Sequence, residues 1–265
     1  MVYLSTFSAL STDAEGNAES SLRRNKPPGL LVSVRSITEM QLLAGLDLTV
    51  LDIKEPHAGA LAAASPEVWY SIATENAKLQ NPWRLSVALG ECSEAIELAG
   101  KVPASVEFAK AGPAHTRDLG TIQTYWETIR ERLSASTELV AVAYADHENA
   151  GCPSPEAIFD LAAQVGLKTW LIDTFQKDGS STVDHLTTSR LSGLAHQASN
   201  AGAQWVLAGS VRSQMVAALE KNGVLPDLFG VRGDICDGPR EGIVARKKVQ
   251  SWLAMLSRDS HPKRD

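Results

Sequence analysis

The sequence predicts an α/β protein of the (β/α)₈ TIM-barrel class, in a single domain. Three observations support this prediction. The chain has 265 residues, an ordinary length for one such barrel with short extensions. Its apolar segments are short, rich in β-branched residues and nearly continuous, as in parallel strands buried on both faces. Eight such segments alternate with stretches of helical length, without a change of composition after residue 28.

The predicted strands follow one another at intervals that leave room for helices between them. In chain order they are GLLVSV (29–34), LTVLDI (48–53), RLSVAL (84–89), SVEFAK (105–110), LVAVAYA (139–145), TWLIDT (169–174), QWVLAGS (204–210) and LFGVRG (228–233). The alternative is an open doubly wound sheet, which normally has a glycine-rich G-x-G-x-x-G fingerprint after its first strand. That fingerprint occurs nowhere in the chain, so the barrel is favoured.

Helices are predicted where apolar residues recur at helical spacing between the strands. The patterns over 36–44, 155–165 and 213–221 are examples. Ser154 followed by Pro155 indicates a helix start, because a polar N-cap and a proline in the first turn both favour initiation. The third unit is the weakest, since residues 90–103 leave room for only a short helix.

The segments outside the barrel are predicted to be polar extensions. Residues 1–28 are rich in Ser and Ala and lack the apolar stretch of a secretory signal, so a flexible extension is expected there. Residues 29–257 form the predicted TIM-barrel catalytic domain, and residues 258–265 form a polar tail. Three widely spaced cysteines without a C-x-x-C pair favour a reducing, cytoplasmic location.

Composition limits the classes of partner. The formal net charge is −6 and no dense basic stretch occurs, so no nucleic-acid partner is expected. The longest uninterrupted apolar run, 139–145, is far shorter than the roughly 18 residues that a membrane span needs. No membrane partner is therefore expected, and a homo-oligomer is left open.

Candidate catalytic residues stand where strands end, because TIM barrels carry their active sites at the carboxyl ends of the strands. Asp52 and Lys54 share one face of the second strand, since side chains two residues apart point the same way. Lys110 ends the fourth strand, and Asp173 ends the sixth, with Lys177 in the turn that follows. Each residue alone has an ordinary explanation as a solvated lysine or a turn aspartate. Their convergence on one barrel mouth indicates a site.

Three further polar residues at strand ends are additional candidates. Ser33 stands near the end of the first strand, and Tyr144 and Asp146 share a face at the end of the fifth. The ordinary alternative for Tyr144 is core packing with its hydroxyl at the rim.

The lysine and aspartate cluster predicts a particular chemistry. A lysine attacks a carbonyl only in its neutral form, which partial desolvation and a neighbouring ammonium both favour. Lys110 and Lys177 would supply that neighbouring charge to Lys54, and Asp52 or Asp173 would transfer protons. This arrangement is typical of Schiff-base formation, as in lysine-dependent aldolases.

Glycines at the ends of the seventh and eighth strands predict a phosphate site in the loops that follow. The residues are Gly209 and Ser210 at the end of the seventh strand, and Gly230, Arg232 and Gly233 at the end of the eighth. Glycine lets backbone amides approach an anion, and these two loops form the usual phosphate cradle of a TIM barrel. Arg232 is expected to add a charge-assisted contact. The alternative is that these glycines only shape tight turns.

Motifs for metals and nucleotides are absent from the sequence. The six histidines do not fall at metal-ligand spacing, and neither a G-x-S-x-G elbow nor a G-x-x-x-x-G-K-[ST] loop occurs. No metal and no other cofactor are therefore expected.

Several motifs together resemble one enzyme family. In chain order they are LLVSV, VLDIKEPHAGALAA, FAKAG, VAYAD, LIDTFQKDG, LAGSVR and GVRGDIC. They resemble (5-formylfuran-3-yl)methyl phosphate synthase, a family also called 4-(hydroxymethyl)-2-furancarboxaldehyde-phosphate synthase. The similarity runs from Leu30 to about Leu256. The strings D-x-K-x-P-x-x-G-x-L (52–61) and L-x-D-T-x-x-K-D-G (171–179) are specific in combination.

The resemblance implies a TIM-barrel lyase that condenses two molecules of glyceraldehyde 3-phosphate into a phosphorylated furan aldehyde, releasing phosphate and water. The product would enter methanofuran-type one-carbon cofactor biosynthesis, and the partner would be a small triose phosphate. By the match, Lys54 would be the Schiff-base lysine. Asp52, Lys110, Asp173 and Lys177 would complete the catalytic cluster.

Other functions on the same barrel stay open at this point. One is another class I, lysine-dependent aldolase or a triose-phosphate isomerase-like enzyme. Another is a non-catalytic sugar-phosphate-binding protein. Binding a phosphate needs only cations and amides, so the mixture of lysines and carboxylates argues against a protein that only binds.

Overall fold

The computed structural model describes residues 27–258, and their strands form a closed barrel. All eight strands are parallel and pair in chain order, and β8 pairs with β1 to complete the barrel. The strands are β1 (Gly29–Val34), β2 (Val50–Ile53), β3 (Arg84–Glu91), β4 (Phe108–Gly112), β5 (Glu138–Tyr144), β6 (Thr169–Asp173), β7 (Gln204–Leu207) and β8 (Leu228–Val231). The predicted barrel is confirmed, and the open sheet is wrong. The predicted extension and tail lie almost wholly outside the described residues.

Ten α-helices lie within residues 27–258. They are α1 (Ile37–Leu42), α2 (Pro66–Asn76), α3 (Cys92–Ala99), α4 (Leu119–Arg132), α5 (His147–Ala150), α6 (Pro155–Gln164), α7 (Thr182–His185), α8 (Thr188–Asn200), α9 (Val216–Lys221) and α10 (Arg246–Arg258). The Ser154 side chain caps α6 as predicted, and α3 is the expected short helix. The predicted helix over 213–221 is a 3₁₀ turn (Ser213–Met215) followed by α9. None of these ten is long and apolar enough to cross a membrane.

Alternation along the strands divides the apolar residues into two layers. Outward-facing residues such as Leu51 pack in one core with the helices. Inward-facing residues such as Val50 and Phe108 pack in a second core inside the barrel. Because both faces are buried, the strands are apolar almost throughout. Asp52 follows Val50 in its inward row and Lys110 follows Phe108, so polar side chains begin where the apolar filling ends.

Candidate active site

The mouth of the barrel at the carboxyl ends of the strands contains a cavity of about 460 Å³. All five residues of the predicted catalytic cluster line it: Asp52, Lys54, Lys110, Asp173 and Lys177. So do Ser33 and the five residues of the predicted phosphate site: Gly209, Ser210, Gly230, Arg232 and Gly233. The volume falls within the roughly 300–1,000 Å³ of small-molecule sites. The structure therefore brings both predicted clusters to one cavity.

A buried ion pair joins β2 and β4 in this cavity. Lys110 Nζ lies 2.6 Å from Asp52 Oδ1, and Ser33 Oγ donates to Asp52 Oδ2 at 2.8 Å. Burial alone would raise the pKa of Asp52, but the positive charges of Lys110 and Lys54 outweigh burial and hold that pKa below its usual value. Asp52 is therefore an ionised carboxylate within the barrel.

A second ion pair lies at the end of β6. Lys177 Nζ donates to Asp173 Oδ1 at 2.7 Å and to Thr174 Oγ1 at 3.0 Å. Burial would raise the pKa of Asp173, but the charges of Lys177 and Lys54 hold it below its usual value. No hydrogen bond from a described residue reaches Asp173 Oδ2. That oxygen can therefore accept a proton from a substrate carbon or hydroxyl.

Lys54 is the first residue after β2, and its side chain is buried in the cavity that both ion pairs line. Its Nζ donates to the carbonyl oxygen of Ala60 at 3.2 Å, and it makes no ion pair within the described part of the chain. Burial, assisted by the positive charges of Lys110 and Lys177, lowers the pKa of Lys54 to about 7, against the opposing effect of Asp173 and Asp52. A large fraction of this amine is thus neutral, and nucleophilic, near neutral pH.

Tyr144, one of the additional candidates, does not line the cavity. Its hydroxyl donates to Glu91 Oε1 at 2.7 Å, and Glu91 Oε2 accepts the N–H of Ala114. A Cβ at position 112 would lie 2.3 Å from the Tyr144 hydroxyl, so Gly112 makes room for this pair. Burial raises the pKa of Glu91. Glu91 was not predicted, although it is a carboxylate at the end of the third strand.

Asp146, the other additional candidate at the end of β5, also lies outside the cavity lining. Its two carboxylate oxygens accept the backbone N–H groups of Phe175 and Gln176 at 2.7 and 2.8 Å. These residues directly precede Lys177. Asp146 therefore holds the loop that carries Lys177, and its effect on the cavity passes through that loop.

The loop after β7 presents backbone N–H groups without protein partners. Gly209 and Ser210 both have positive φ, of +82° and +55°. A Cβ on Gly209 would lie 2.2 Å from Thr182 Oγ1, so this position needs glycine. Among the described residues, none accepts a hydrogen bond from the N–H groups of residues 209–212. Successive free N–H groups in such a turn form a concave site for an anion, which we call the amide cradle (residues 209–212).

Arg232 lines the cavity, but its guanidinium is fully engaged by the protein. It makes a bidentate ion pair with Glu39, at 2.5 and 3.0 Å. Its remaining N–H groups donate to the carbonyl oxygens of Ser33, Arg240 and Gly242. All five donors are used within the protein, so this guanidinium has no N–H group left for the expected phosphate contact, and its contacts favour a structural role. Glu39, which is 3% exposed, was missed because it lies on α1, far away in sequence.

Asp234, which follows β8, lines the cavity, and its carboxylate accepts hydrogen bonds from the protein. Asp234 Oδ2 accepts the N–H of Ser213 at 3.0 Å and the indole N–H of Trp252 at 2.8 Å. Asp234 thereby ties the end of the amide cradle to α10.

Gly230, on β8, lets that strand approach Ala208, because a Cβ there would lie 2.9 Å from the Ala208 Cβ.

Arg240 lines the cavity and was not predicted from the sequence. It stands in the loop after β8, and its Nη1 and Nη2 donate to the carbonyl oxygens of Pro56 and Gly59 in the loop after β2. Its side chain is 16% exposed. No local pattern marks it, since its partners lie more than 180 residues earlier in the chain.

Comparison with known proteins places this site in a family context. The profile of a family described as 4-HFC-P synthase matches residues 30–253. The chain is 26% identical to the (5-formylfuran-3-yl)methyl phosphate synthase of Methanosarcina barkeri, over 85% of this chain and 97% of the relative. It is 27% identical to the protein of the same name from Methanococcus aeolicus, over 85% of this chain and 98% of the relative.

Among solved structures, the chain is similar to phosphoribosyl anthranilate isomerase from Thermus thermophilus. The TM-score is 0.57 at 12% identity, over 87% of this chain and 98% of that one. At this identity the likeness concerns the barrel fold alone.

Proposed function

The chain belongs to the 4-HFC-P synthase family, and from this premise we propose that it condenses two molecules of glyceraldehyde 3-phosphate into (5-formylfuran-3-yl)methyl phosphate. The elements balance when one phosphate and two molecules of water are released. The enzyme would be a lyase that works through a Schiff base on Lys54, and its product would enter methanofuran-type one-carbon cofactor biosynthesis.

The carbon skeleton of the product decides which bond must form. The furan carbon that bears the phosphomethyl group corresponds to the carbonyl carbon of dihydroxyacetone phosphate. The three carbons ending in the formyl group correspond to glyceraldehyde 3-phosphate, with its former phosphate-bearing carbon now in the ring. The new bond therefore joins that carbon to the ketone carbon. One triose supplies an electrophile and keeps its phosphate, and the other supplies a nucleophile and loses it.

The electrophile requires an isomerisation and an imine. A carboxylate takes the proton from C2 of one glyceraldehyde 3-phosphate and returns it to C1, which gives dihydroxyacetone phosphate. Asp173 suits this step because its Oδ2 accepts no hydrogen bond from a described residue. Neutral Lys54 then adds to the ketone, and loss of the first water gives an iminium carbon. The cations Lys110 and Lys177 stabilise the oxyanions that develop.

The nucleophile forms by elimination from the second triose. Removal of its C2 proton gives an enediolate, and the C3–O bond breaks with its electron pair leaving on the phosphate. The resulting enol attacks the iminium carbon through C3. The hydroxyl of the first triose then closes the ring on the ketone of the second, the second water leaves, and expulsion of the amine restores Lys54.

The observation that carries this proposal is the burial of Lys54 in one cavity with two lysine–aspartate ion pairs. Its pKa of about 7 makes it an amine that can attack a carbonyl near neutral pH, whereas an exposed lysine is almost fully protonated there. It shares one cavity with two buried carboxylates and an amide cradle. Imine formation, proton transfer and phosphate binding are the three tasks that the reaction needs.

The test is to trap the imine and to identify the product in parallel. Purified protein with glyceraldehyde 3-phosphate should release inorganic phosphate and form an ultraviolet-absorbing furan aldehyde phosphate of the expected mass. Borohydride should trap a triose phosphate adduct on the peptide that contains Lys54. Lys54→Ala should abolish both, and Lys221→Ala, which alters a lysine outside the cavity lining, should abolish neither.

Other outcomes identify the alternatives. A Lys54 adduct without a furan product would indicate a different lysine-dependent aldolase. Tight binding of triose phosphate without adduct or turnover would indicate a protein that only binds sugar phosphates. Trapping by Lys54→Ala at the rate of the unmodified protein would show that Lys54 is not the nucleophile.

A further inference from the structure

We propose that Arg240 binds the phosphate of the second triose, the phosphate that the reaction eliminates. This inference rests on the proposed function, because only a reaction of two triose phosphates needs two phosphate subsites. The amide cradle accounts for one of them. Arg240 would hold the other with its guanidinium, on a different part of the barrel mouth.

The cations of the cavity leave few candidates for this task. Within the described residues, six cationic side chains line the cavity: Lys54, Lys110, Lys177, Arg212, Arg232 and Arg240. Lys54 is the proposed nucleophile, while Lys110 and Lys177 are paired with aspartates. Arg232 has no donor left. Arg212 belongs to the cradle and donates to the carbonyl oxygen of Gly179.

Arg240 carries a mostly buried charge without a close carboxylate. Its side chain is 16% exposed, and the carboxylate that pairs with it, that of Glu241, lies 3.9 Å away, which is too far for a hydrogen bond. Its bonds to Pro56 and Gly59 use two of its five donors. No described residue accepts from the other three. A buried cation in this state is costly, and a bound dianion would offset that cost.

The position of Arg240 separates it from the cradle and brings it close to the nucleophile. Its guanidinium is hydrogen-bonded to the loop after β2, whereas the cradle follows β7. Strands β8 and β1 lie between β7 and β2 in the barrel. The same β2 loop supplies the carbonyl oxygen of Ala60 that holds Lys54 Nζ. A phosphate on Arg240 would thus belong to a triose beside Lys54, in the cavity that Asp173 also lines.

A full positive charge suits the phosphate that leaves. When the C3–O bond breaks, its electron pair moves onto the phosphate oxygen, so negative charge grows there during the step. A guanidinium can donate two parallel hydrogen bonds to phosphate oxygens and stabilise that charge. The phosphate that is retained undergoes no such change, and neutral amides are sufficient for it.

The test separates imine formation from the elimination. Dihydroxyacetone phosphate alone, with borohydride, reports on Lys54 and the cradle, while furan and phosphate release from glyceraldehyde 3-phosphate report on the whole reaction. Arg240→Ala should keep the trapping rate within about twofold and lower furan formation roughly 100-fold. Arg240→Lys, which retains the charge, should form furan at least about tenfold faster than Arg240→Ala.

Arg246→Ala is the matched control. Arg246 also donates to two loop carbonyl oxygens, those of Leu42 and Ala44, but it does not line the cavity. Its loss should leave both rates unchanged.

Each result decides the inference. Furan formation by Arg240→Ala at the normal rate would overturn it while leaving the proposed function intact. Equal loss of trapping and of furan formation would also overturn it, because Arg240 would then only support the β2 loop. The same holds if Arg240→Lys is no better than Arg240→Ala. If the unmodified protein forms neither adduct nor furan, the proposed function fails, and the inference fails with it.

Discussion

Lys110 Nζ lies 2.6 Å from Asp52 Oδ1, and neither side chain is more than 3% exposed. Lys110→Met should therefore destabilise the fold by about 3–5 kcal/mol, because it leaves a buried carboxylate without its main partner. Asp52→Asn combined with Lys110→Met should recover much of this loss. Urea unfolding measures both. As a control, Arg84→Met breaks an exposed pair with Glu107 and should cost about 0–1 kcal/mol.

The ion pair between Lys110 and Asp52 makes the stability of the fold depend on pH. The pKa of Asp52 is lower in the folded protein, so its stabilisation is present above the unfolded value and is lost as the pH falls through the folded one. The unmodified protein should lose stability in acid more steeply than the double variant. Equal acid dependence of the two would contradict an ionised Asp52.

Adduct formation on Lys54 should follow the neutral fraction of its amine. Because burial lowers the pKa of Lys54 to about 7, the trapping rate with dihydroxyacetone phosphate should rise from about pH 6 to about pH 8 and then level off. Cyanoborohydride trapping followed by peptide mass spectrometry gives the profile. A rate that keeps rising about tenfold per pH unit to pH 9 would indicate an ordinary lysine instead.

Arg232 is expected to support the fold rather than to bind phosphate. Arg232→Met leaves Glu39 buried without its partner and should cost about 3–5 kcal/mol in urea unfolding. Glu39→Gln combined with Arg232→Met should be more stable than the single variant and should retain the KM for triose phosphate. A large rise in KM in a double variant that is otherwise well folded would restore Arg232 to the phosphate site.

Gly209→Ala should disrupt the amide cradle. The new Cβ would lie 2.2 Å from Thr182 Oγ1 and 2.9 Å from Thr174 N, in addition to the strain of a positive φ. Gly223→Ala is the control, since Gly223 has a similar φ of +75° and nothing within 4 Å of the added Cβ. Gly223→Ala should cost about 1–2 kcal/mol. Gly209→Ala should cost more and should weaken the competition of inorganic phosphate with triose phosphate. Equal losses of unfolding free energy in the two variants would argue against a crowded cradle.

Asp146→Ala should loosen the loop that carries Lys177. Loss of the acceptor for Phe175 N and Gln176 N should cost about 1–3 kcal/mol and lower kcat about tenfold, while trapping on Lys54 continues. Hydrogen exchange should show faster exchange at those two amides. Asp118→Ala, which removes an acceptor for Thr121 N at an exposed helix cap, should leave kcat unchanged.

The lysine and aspartate cluster could be predicted because strand geometry is regular. Period-two alternation places Asp52 and Lys54 on one face, and a closed parallel barrel collects the carboxyl ends of all its strands. The end of β4 differs from the prediction: the strand runs to Gly112, so Lys110 lies inside it. Lys110 points into the barrel in either case. Successive side chains of a strand alternate between its two faces, so the face of a residue does not depend on where the strand ends.

The arginines could not be assigned in this way. Arg232 and Arg240 both follow β8, and the sequence predicted a phosphate contact for Arg232 alone. Their roles depend on acceptors far away in the chain: Glu39 saturates the first, and the carbonyl oxygens of Pro56 and Gly59 leave donors free on the second. Glu91 was missed for a similar reason, since its contacts with Tyr144 and Ala114 come from other strands.

The bond between Glu39 and Arg232 has a consequence for synthesis. Arg232 leaves the ribosome 193 residues after Glu39, and β8, the pairing partner of β1, emerges with it. Until then the nascent chain carries an uncompensated carboxylate and an open sheet edge. A premature stop codon before β8 therefore yields a polypeptide prone to aggregation rather than a smaller working enzyme.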